Sequence, residues 1–332
     1  MTIMGKDNIN DSAGVVENLP FSFQEDLNIS RPAHDDEEDD FDSVGSENSC
    51  EEYIQFESHR DDNALEVGIS FTWPSSSSLS SSSSLSLPLS ADKKFTLSTL
   101  LEPDDLAPIF AGAQWAGTRV WDAAIRAMQY LESNHSEEMK QGGSLCELGC
   151  GLGVPGMIYH MLGGNVVLTD QECIMSQLKK NCIETFPETF IETTTTTTTT
   201  TISHPSKLAS TTALSKNTII THPLTWSRKG YHELLTRTGY KDKKGFDIVL
   251  NCDCVYEPLY GKSWNLLVEV IDECLKVNPQ CIVLTSVERR YADGIEHFIQ
   301  KMENSQHVQS VEKVREKDPR NIEIYLTRGK FI

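Results

Sequence analysis

Leu145-Cys146-Glu147-Leu148-Gly149-Cys150-Gly151-Leu152-Gly153-Val154-Pro155-Gly156 is the stretch on which the fold reading turns. Its first four residues read as a buried strand ending beside an acidic group. A glycine-dense turn follows, then a helix start. Glycine admits positive φ and lets a ligand approach the main chain closely. The first N–H groups of the following helix have no intrahelical partner and point at whatever sits there. Pro155 suits a first helical turn, where no N–H is needed. The stretch therefore describes a cradle for a nucleotide-like ligand.

Outward from this stretch, strand and helix patterns alternate. Residues 119–132 place Val120, Ala123, Ala124, Ala127, Met128 and Leu131 at helical spacing. Residues 154–162 read as a helix, 165–169 as a strand ending at Asp170, and 174–185 as a helix. A short strand at 218–221 precedes Leu224-Thr225-Trp226, and an apolar strand at 246–250 ends in Asn251-Cys252-Asp253. A helix at 263–277, a strand at 281–286 and a helix at 292–303 follow. Strands at 308–314 and 323–327 close the chain as an antiparallel pair. Such alternation predicts an α/β fold, a mostly parallel sheet with helices on both faces.

Composition sets the boundaries. The 332 residues hold 49 acidic and 29 basic side chains, a formal charge of −20. Residues 1–95 carry 20 acidic against 5 basic residues, so the acidity is concentrated there. That segment contains Asp-Asp-Glu-Glu-Asp-Asp at 35–40 and a serine-rich run at 75–90, and it reads as disordered. Residues 96–332 form the predicted domain, interrupted by a low-complexity insertion at about 188–217 around the threonine run 193–201. No basic patch points to nucleic acid, and no apolar run of about 18 residues points to a membrane span. The nine cysteines include no Cys-x-x-Cys pair, and no His lies at zinc-ligand spacing. They read as reduced buried thiols without a metal, in a cytoplasmic or nuclear setting. The N-terminus has no hydrophobic leader pattern. A monomer is expected.

In parallel sheets ligands bind at the carboxyl ends of the strands. Four such ends carry polar or aromatic residues: Glu147 with Gly149–Gly153, then Asp170, then Trp226, then Cys252-Asp253 with Tyr256. Gly151-x-Gly153-x-x-Gly156 fits a dinucleotide turn. Glu147-x-Gly149-x-Gly151-x-Gly153 fits an S-adenosylmethionine turn. Asp170, about 20 residues on, suits the ribose diol that both cofactors carry. Three features favour S-adenosylmethionine. A helical segment with Trp121 precedes the first strand, Glu147 is an acidic group suited to a sulfonium, and Asp253-Cys254-Val255-Tyr256 places polar groups where an acceptor would lie.

Gly117-Thr118-Arg119-Val120-Trp121-Asp122-Ala123-Ala124, Glu147–Gly153, Leu168-Thr169-Asp170, Leu224-Thr225-Trp226 and Asp253-Cys254-Val255-Tyr256 occur in one order. Together they resemble the small seven-strand, class I, protein lysine methyltransferases with a DxxY motif, over about residues 106–332. The resemblance implies a Rossmann-like sheet, S-adenosylmethionine as cofactor, and a protein substrate presenting a lysine. It implies that Trp121, Gly149, Cys150, Gly151 and Gly153 border the cofactor, that Asp170 binds its ribose, that Trp226 packs beside the adenine, and that Cys252 adds an edge contact. Asp253 and Tyr256 are implied on the acceptor side, with Asp253 orienting the incoming nitrogen. Arginine or small-molecule acceptors are the nearest alternatives. An NAD-dependent oxidoreductase and a non-catalytic interaction protein stand further off.

Overall fold

The computed structural model describes residues 55–60, 67–73, 93–98, 117, 120–193, 217–315 and 320–331. The chain divides into two units, residues 1–49 and 50–332, and every described residue belongs to the second. The acidic run at 35–40, the serine-rich stretch and most of the threonine run lie outside the described residues.

The main sheet contains β4 (Ser144–Leu148), β5 (Asn165–Asp170), β6 (Phe190–Glu192), β7 (Ile219–Pro223), β8 (Ile248–Cys252), β9 (Ile282–Glu288), β10 (Val308–Arg315) and β11 (Ile322–Gly329). Its order is β10-β11-β9-β8-β4-β5-β7-β6. The pairs from β9 to β6 are parallel, and β11 runs antiparallel to both β9 and β10. The predicted parallel sheet with an antiparallel C-terminal pair is therefore present, with β6 as an additional edge strand.

Helices cover both faces because the central strands are apolar on both sides. Along β4, β5 and β8, Leu145, Val166, Leu168, Ile248 and Leu250 enter one core. The intervening Cys146, Leu148, Val167 and Val249 enter the other. This is the period of two that a strand imposes. The first core is closed by α1 (Asp122–Lys140), α2 (Val154–Met161) and α3 (Met175–Thr185) through Met128, Leu131, Met157, Ile158 and Leu178. The second is closed by α4 (Arg228–Thr238), α6 (Trp264–Val277) and α7 (Ile295–Glu303) through Leu234, Leu267, Ile271 and Phe298. A four-residue helix, α5 (Glu257–Tyr260), follows β8.

Several expectations are corrected. Residues within 1–95 read as disordered, yet β1 (Gln55–Arg60), β2 (Val67–Trp73) and β3 (Lys93–Ser98) form a three-stranded antiparallel sheet. Leu97 of β3 is fully buried in the first core. The predicted insertion starts too early, because β6 at 190–192 pairs in parallel with β7. The helix predicted at 119–132 begins at Asp122 and runs to Lys140, with a non-helical His135 inside it. Helix α4 has no counterpart in the sequence reading, although Ser227 caps it by accepting from Gly230 N at 3.0 Å and Gly239 ends it at φ 76°.

The packing of α2 against β5 leaves no room at Gly156. A Cβ there would lie 2.4 Å from Leu168 Cδ2 and 2.9 Å from Glu147 Oε2. Gly156→Ala is expected to lower stability by about 1–3 kcal/mol through overpacking. Denaturant unfolding, read as a lower midpoint at unchanged slope, checks it.

Candidate functional site

β4 ends at Leu148, and the chain turns through Gly149 (φ 65°), Gly151 (φ 53°) and Gly153 (φ 74°) before α2. These conformations are strained for side-chain-bearing residues. Space forbids side chains as well. A Cβ at Gly149 would lie 2.7 Å from Cys254 Sγ, and one at Gly151 would lie 3.0 Å from the Gly117 carbonyl oxygen. The turn is tied to β5 by Cys150 N donating to Thr169 O at 3.0 Å and Thr169 Oγ1 donating to Glu147 O at 2.7 Å.

Asp170 closes the cradle. Its Oδ2 accepts from Gly151 N at 2.7 Å and its Oδ1 from Gln171 N at 2.7 Å. Each carboxylate oxygen keeps a lone pair beyond the one so used, and the side chain is only half-buried. Burial holds its pKa above the ordinary carboxylate range, against the pull of the two backbone donors. Trp226, half-buried after β7, brings Cζ2 within 3.4 Å of where a Gly149 Cβ would sit. Cys252 closes β8, also half-buried. Gly149, Cys150, Gly151, Gly153, Asp170 and Trp226 thus meet around one turn.

Glu147 is placed differently from its sequence expectation. Strand alternation turns its side chain into the core under α2, where it is 2% exposed and Oε2 accepts from Gly156 N at 2.9 Å. It satisfies a helix-start donor that Gly153, lacking a side chain, cannot reach. The carboxyl supports the turn from below and does not line the cradle. Burial pushes its pKa up to about 8, partly offset by the Gly156 N–H, with the negative Asp170 adding to the rise.

The second group lies at the end of β8. Asp253 has φ 54°, and its N–H donates to Ser286 O at 2.8 Å. Its Oδ1 accepts from Glu288 N at 2.9 Å and its Oδ2 from Arg290 Nη2 at 2.8 Å. Burial raises the Asp253 pKa, opposed by Glu288 N and by Arg290. Tyr256 and Trp121 stand at the N-terminal boundaries of α5 and α1. Their rings lie 5.2 and 5.3 Å from the Arg290 Cζ. The sequence reading gave Cys254 no role of its own within the Asp253–Tyr256 motif, and it left Arg290 in a charged run after β9, either solvated or helping to select the substrate. Cys254 joins the two groups, its Sγ donating to Leu148 O at 3.2 Å. Burial raises the thiols of Cys150, Cys252 and Cys254, so they serve as neutral packing groups. Among the described residues no cluster of three or more His, Cys, Asp or Glu could hold a metal ion, and no helix is long and apolar enough to cross a membrane.

Sheet order, glycine turn and acidic strand end define a Rossmann-like ligand-binding domain. The chain belongs to the lysine methyltransferase family, whose model matches residues 111–196 and 195–305. Among curated relatives, the secreted RxLR effector protein 48 of Plasmopara viticola is 35% identical over 148 residues, 44% of this chain and 64% of that protein. The protein N-lysine methyltransferase METTL21A of Xenopus tropicalis is 38% identical over 69 residues, 21% of this chain and 31% of that protein. The EEF1A lysine methyltransferase 3 of the same frog is 40% identical over 62 residues, 19% of this chain and 27% of that protein. The aligned part spans less than two thirds of each of these relatives.

The raised Glu147 pKa has a definite consequence for stability. Below about pH 4.5 the group is protonated in both folded and unfolded chains. From there to about pH 8 the unfolded chain ionises while the folded chain keeps its proton. Folding stability therefore falls with rising pH across that window and levels off above it. Glu147→Gln, which keeps an acceptor for Gly156 N without a titrating proton, is expected to flatten this decline. Thermal unfolding of both proteins between pH 4 and 9 checks it, with the gap widening by a few kcal/mol, at ~1.4 kcal/mol per pKa unit.

Proposed function

We propose that this chain transfers a methyl group from S-adenosylmethionine to the side-chain amine of a lysine in a protein substrate. The observation that carries the reading is the bond from Gly151 N to the Asp170 carboxylate. It places a glycine turn and an acidic acceptor side by side at the carboxyl ends of β4 and β5, with Asp253 and Tyr256 following the neighbouring β8. Membership of the lysine methyltransferase family supports the same reaction.

The residues fit the cofactor. Asp170 keeps acceptor capacity for a diol, the backbone of Gly149–Gly151 suits close approach, and Trp226 offers an aromatic face beside the turn. When bound, the cofactor supplies an already activated methyl group on a sulfonium, so the protein mainly positions the acceptor. Asp170 would hold the ribose hydroxyls, and Glu147, buried beneath, would keep the turn in shape. On the acceptor side Tyr256 presents a ring face and Asp253 a carboxylate; Trp121, expected from the sequence against the cofactor, we read on this side instead, because its ring also faces the Arg290 guanidinium. A lysine ammonium has an ordinary pKa of about 10.4. Its proton has to pass to water before the nitrogen attacks, and desolvation beside the aromatic wall favours that neutral form. The free thiols of the described cysteines support a reducing cytoplasmic or nuclear setting. We read the chain as a monomer acting on protein, not on nucleic acid or a membrane.

Incubation with labelled S-adenosylmethionine and cell extract, then mass spectrometry of the labelled protein, tests the reading. Label on lysine is expected. Label confined to arginine or small molecules would replace it with the corresponding methyltransferase. Asp170→Ala is expected to weaken S-adenosylmethionine binding about 10–100-fold, the worth of one to two charge-assisted hydrogen bonds. Calorimetry showing wild-type affinity for the cofactor in this variant refutes the ribose role.

A further inference from the structure

Arg290 follows β9 in the run Ser286-Val287-Glu288-Arg289-Arg290, whose charges the sequence alone assigns to a solvated loop or to acceptor choice. The structure turns both arginines inward. Arg289 is held by Asp293 at 2.8 Å, by Glu323 at 2.9 Å and by Glu296. Arg290 donates to Asp253 Oδ2 at 2.8 Å and to Glu288. Its guanidinium lies against the rings of both Trp121 and Tyr256. Its side chain is 23% exposed, whereas the next residue, Tyr291, is 96% exposed.

The loop that carries Arg290 is tightly built. Asp293, itself buried, accepts from Arg290 N and from Ile295 N, both at 3.0 Å. Its carbonyl accepts from Glu257 N at 3.0 Å. Arg289 N donates to Asn321 O, and Asn321 Nδ2 returns a bond to Arg289 O, each at 2.9 Å. The direction of Arg290 is thus set by the backbone. Two aromatic faces and a buried carboxylate around one point make a site for an organic cation. Of the residues that form it, Asp253 and Tyr256 follow β8 and Trp121 stands at the start of α1.

We propose that Arg290 is the gating and specificity-determining residue of the acceptor side. Its guanidinium fills a preformed cation site between Trp121, Tyr256 and Asp253, and an acceptor side chain enters by taking its place. The inference rests on the methyl-transfer reading for its biological meaning. The cation site itself can be measured without turnover. An alkylammonium group, the head of a lysine, is the ligand class that the site takes once Arg290 has moved. A substrate loop must therefore carry enough contact elsewhere, with Tyr291 the exposed neighbour beside the entrance, to displace an internal ion pair. An isolated lysine cannot.

Calorimetry with n-butylammonium chloride on the full chain reads the site directly. The wild type is expected to bind it at least about tenfold more weakly than Arg290→Ala, because the internal guanidinium competes for the same cation–π and ion-pair contacts. Adding Tyr256→Ala to Arg290→Ala is expected to abolish the gain. Equal affinity in wild type and a folded Arg290→Ala overturns the proposal. Arg290→Lys provides a second test that keeps the charge. This variant presents an amine of its own in the acceptor site. After losing its proton to solvent, the nitrogen lone pair forms the N–C bond while the electron pair of the broken C–S bond stays on sulfur. Mass spectrometry is expected to find methyl on the substituted side chain, formed at a rate independent of protein concentration. Absence of methyl at that position, in a variant that still methylates substrate in extract, overturns the proposal. If the wild type methylates no lysine at all, the functional reading fails. A difference in butylammonium affinity would still stand on its own.

Discussion

A strand buried on both faces has to end without leaving its backbone groups unpaired, and β4 meets that demand with a turn that only glycine can make. Leu145, Cys146 and Leu148 are fully buried, and the turn that follows keeps its own side chains, Cys150 and Leu152, buried as well. Left-handed backbone at Gly149, Gly151 and Gly153 reverses direction within one turn's length. Cys150 N and Gly151 N then find partners on β5, in the Thr169 carbonyl and the Asp170 carboxylate. Helix α2 can start directly over β4 only because of this. Gly156 lies against Leu168 and Glu147 at distances that no side chain would survive. The register of β4 against β5 and the position of α2 both follow from this one stretch of backbone.

Three carboxyl groups stand at the same sheet edge, and their partners give them different roles. Glu147 has a single backbone donor and no solvent, so desolvation wins and the group is held protonated up to about pH 8. Asp170 has two backbone donors and partial exposure, which leaves oxygens available for further bonds. Asp253 has one backbone donor and a guanidinium, so its charge is compensated internally. The edge is less negative than its composition suggests, because one acid is neutral and another is paired. Asp170 is thus the most accessible of the three, while Asp253 is paired with Arg290.

Much of this was legible from residues alone, for a physical reason. The parallel core strands are apolar and short and lie between helices whose apolar spacing is plain, so β4, β5, β8 and β9 could be read within a residue or two. Helix α4 was not, because Tyr231, Leu234 and Leu235 are its only buried residues in a polar run. Its Ser227 cap and Gly239 stop were the available signals. Strands β1–β3 sit in a segment whose average composition is acidic and serine-rich, and an average hides six- and seven-residue strands. Strand alternation was the signal available for Glu147, since two residues after Leu145 it shares that residue's face and so meets the first core. Arg290 had no such signal. Two adjacent arginines after a strand look solvated until Asp253 and Glu323, each more than 30 residues away, are brought beside the local acids Glu288 and Asp293.

The left-handed backbone at Asp253 makes the end of β8 a constructed feature. A non-glycine residue at φ 54° carries strain of roughly 1–2 kcal/mol, less for Asp than for most residues. In an extended conformation the chain would continue the strand direction and carry the carboxylate away from β9. The turn at Asp253 instead lets its N–H reach Ser286 O and its carboxylate reach Glu288 N, so β8 and β9 are locked together just beyond their last ladder pair, Cys252 with Ser286. Those two bonds offset the strain, and they aim the second carboxylate oxygen at the gap between Trp121 and Tyr256. In the same turn Cys254 reaches back to Leu148 O, which fixes the distance between the acceptor edge and the glycine cradle. A change in the backbone at residue 253 would therefore move both groups of residues at once.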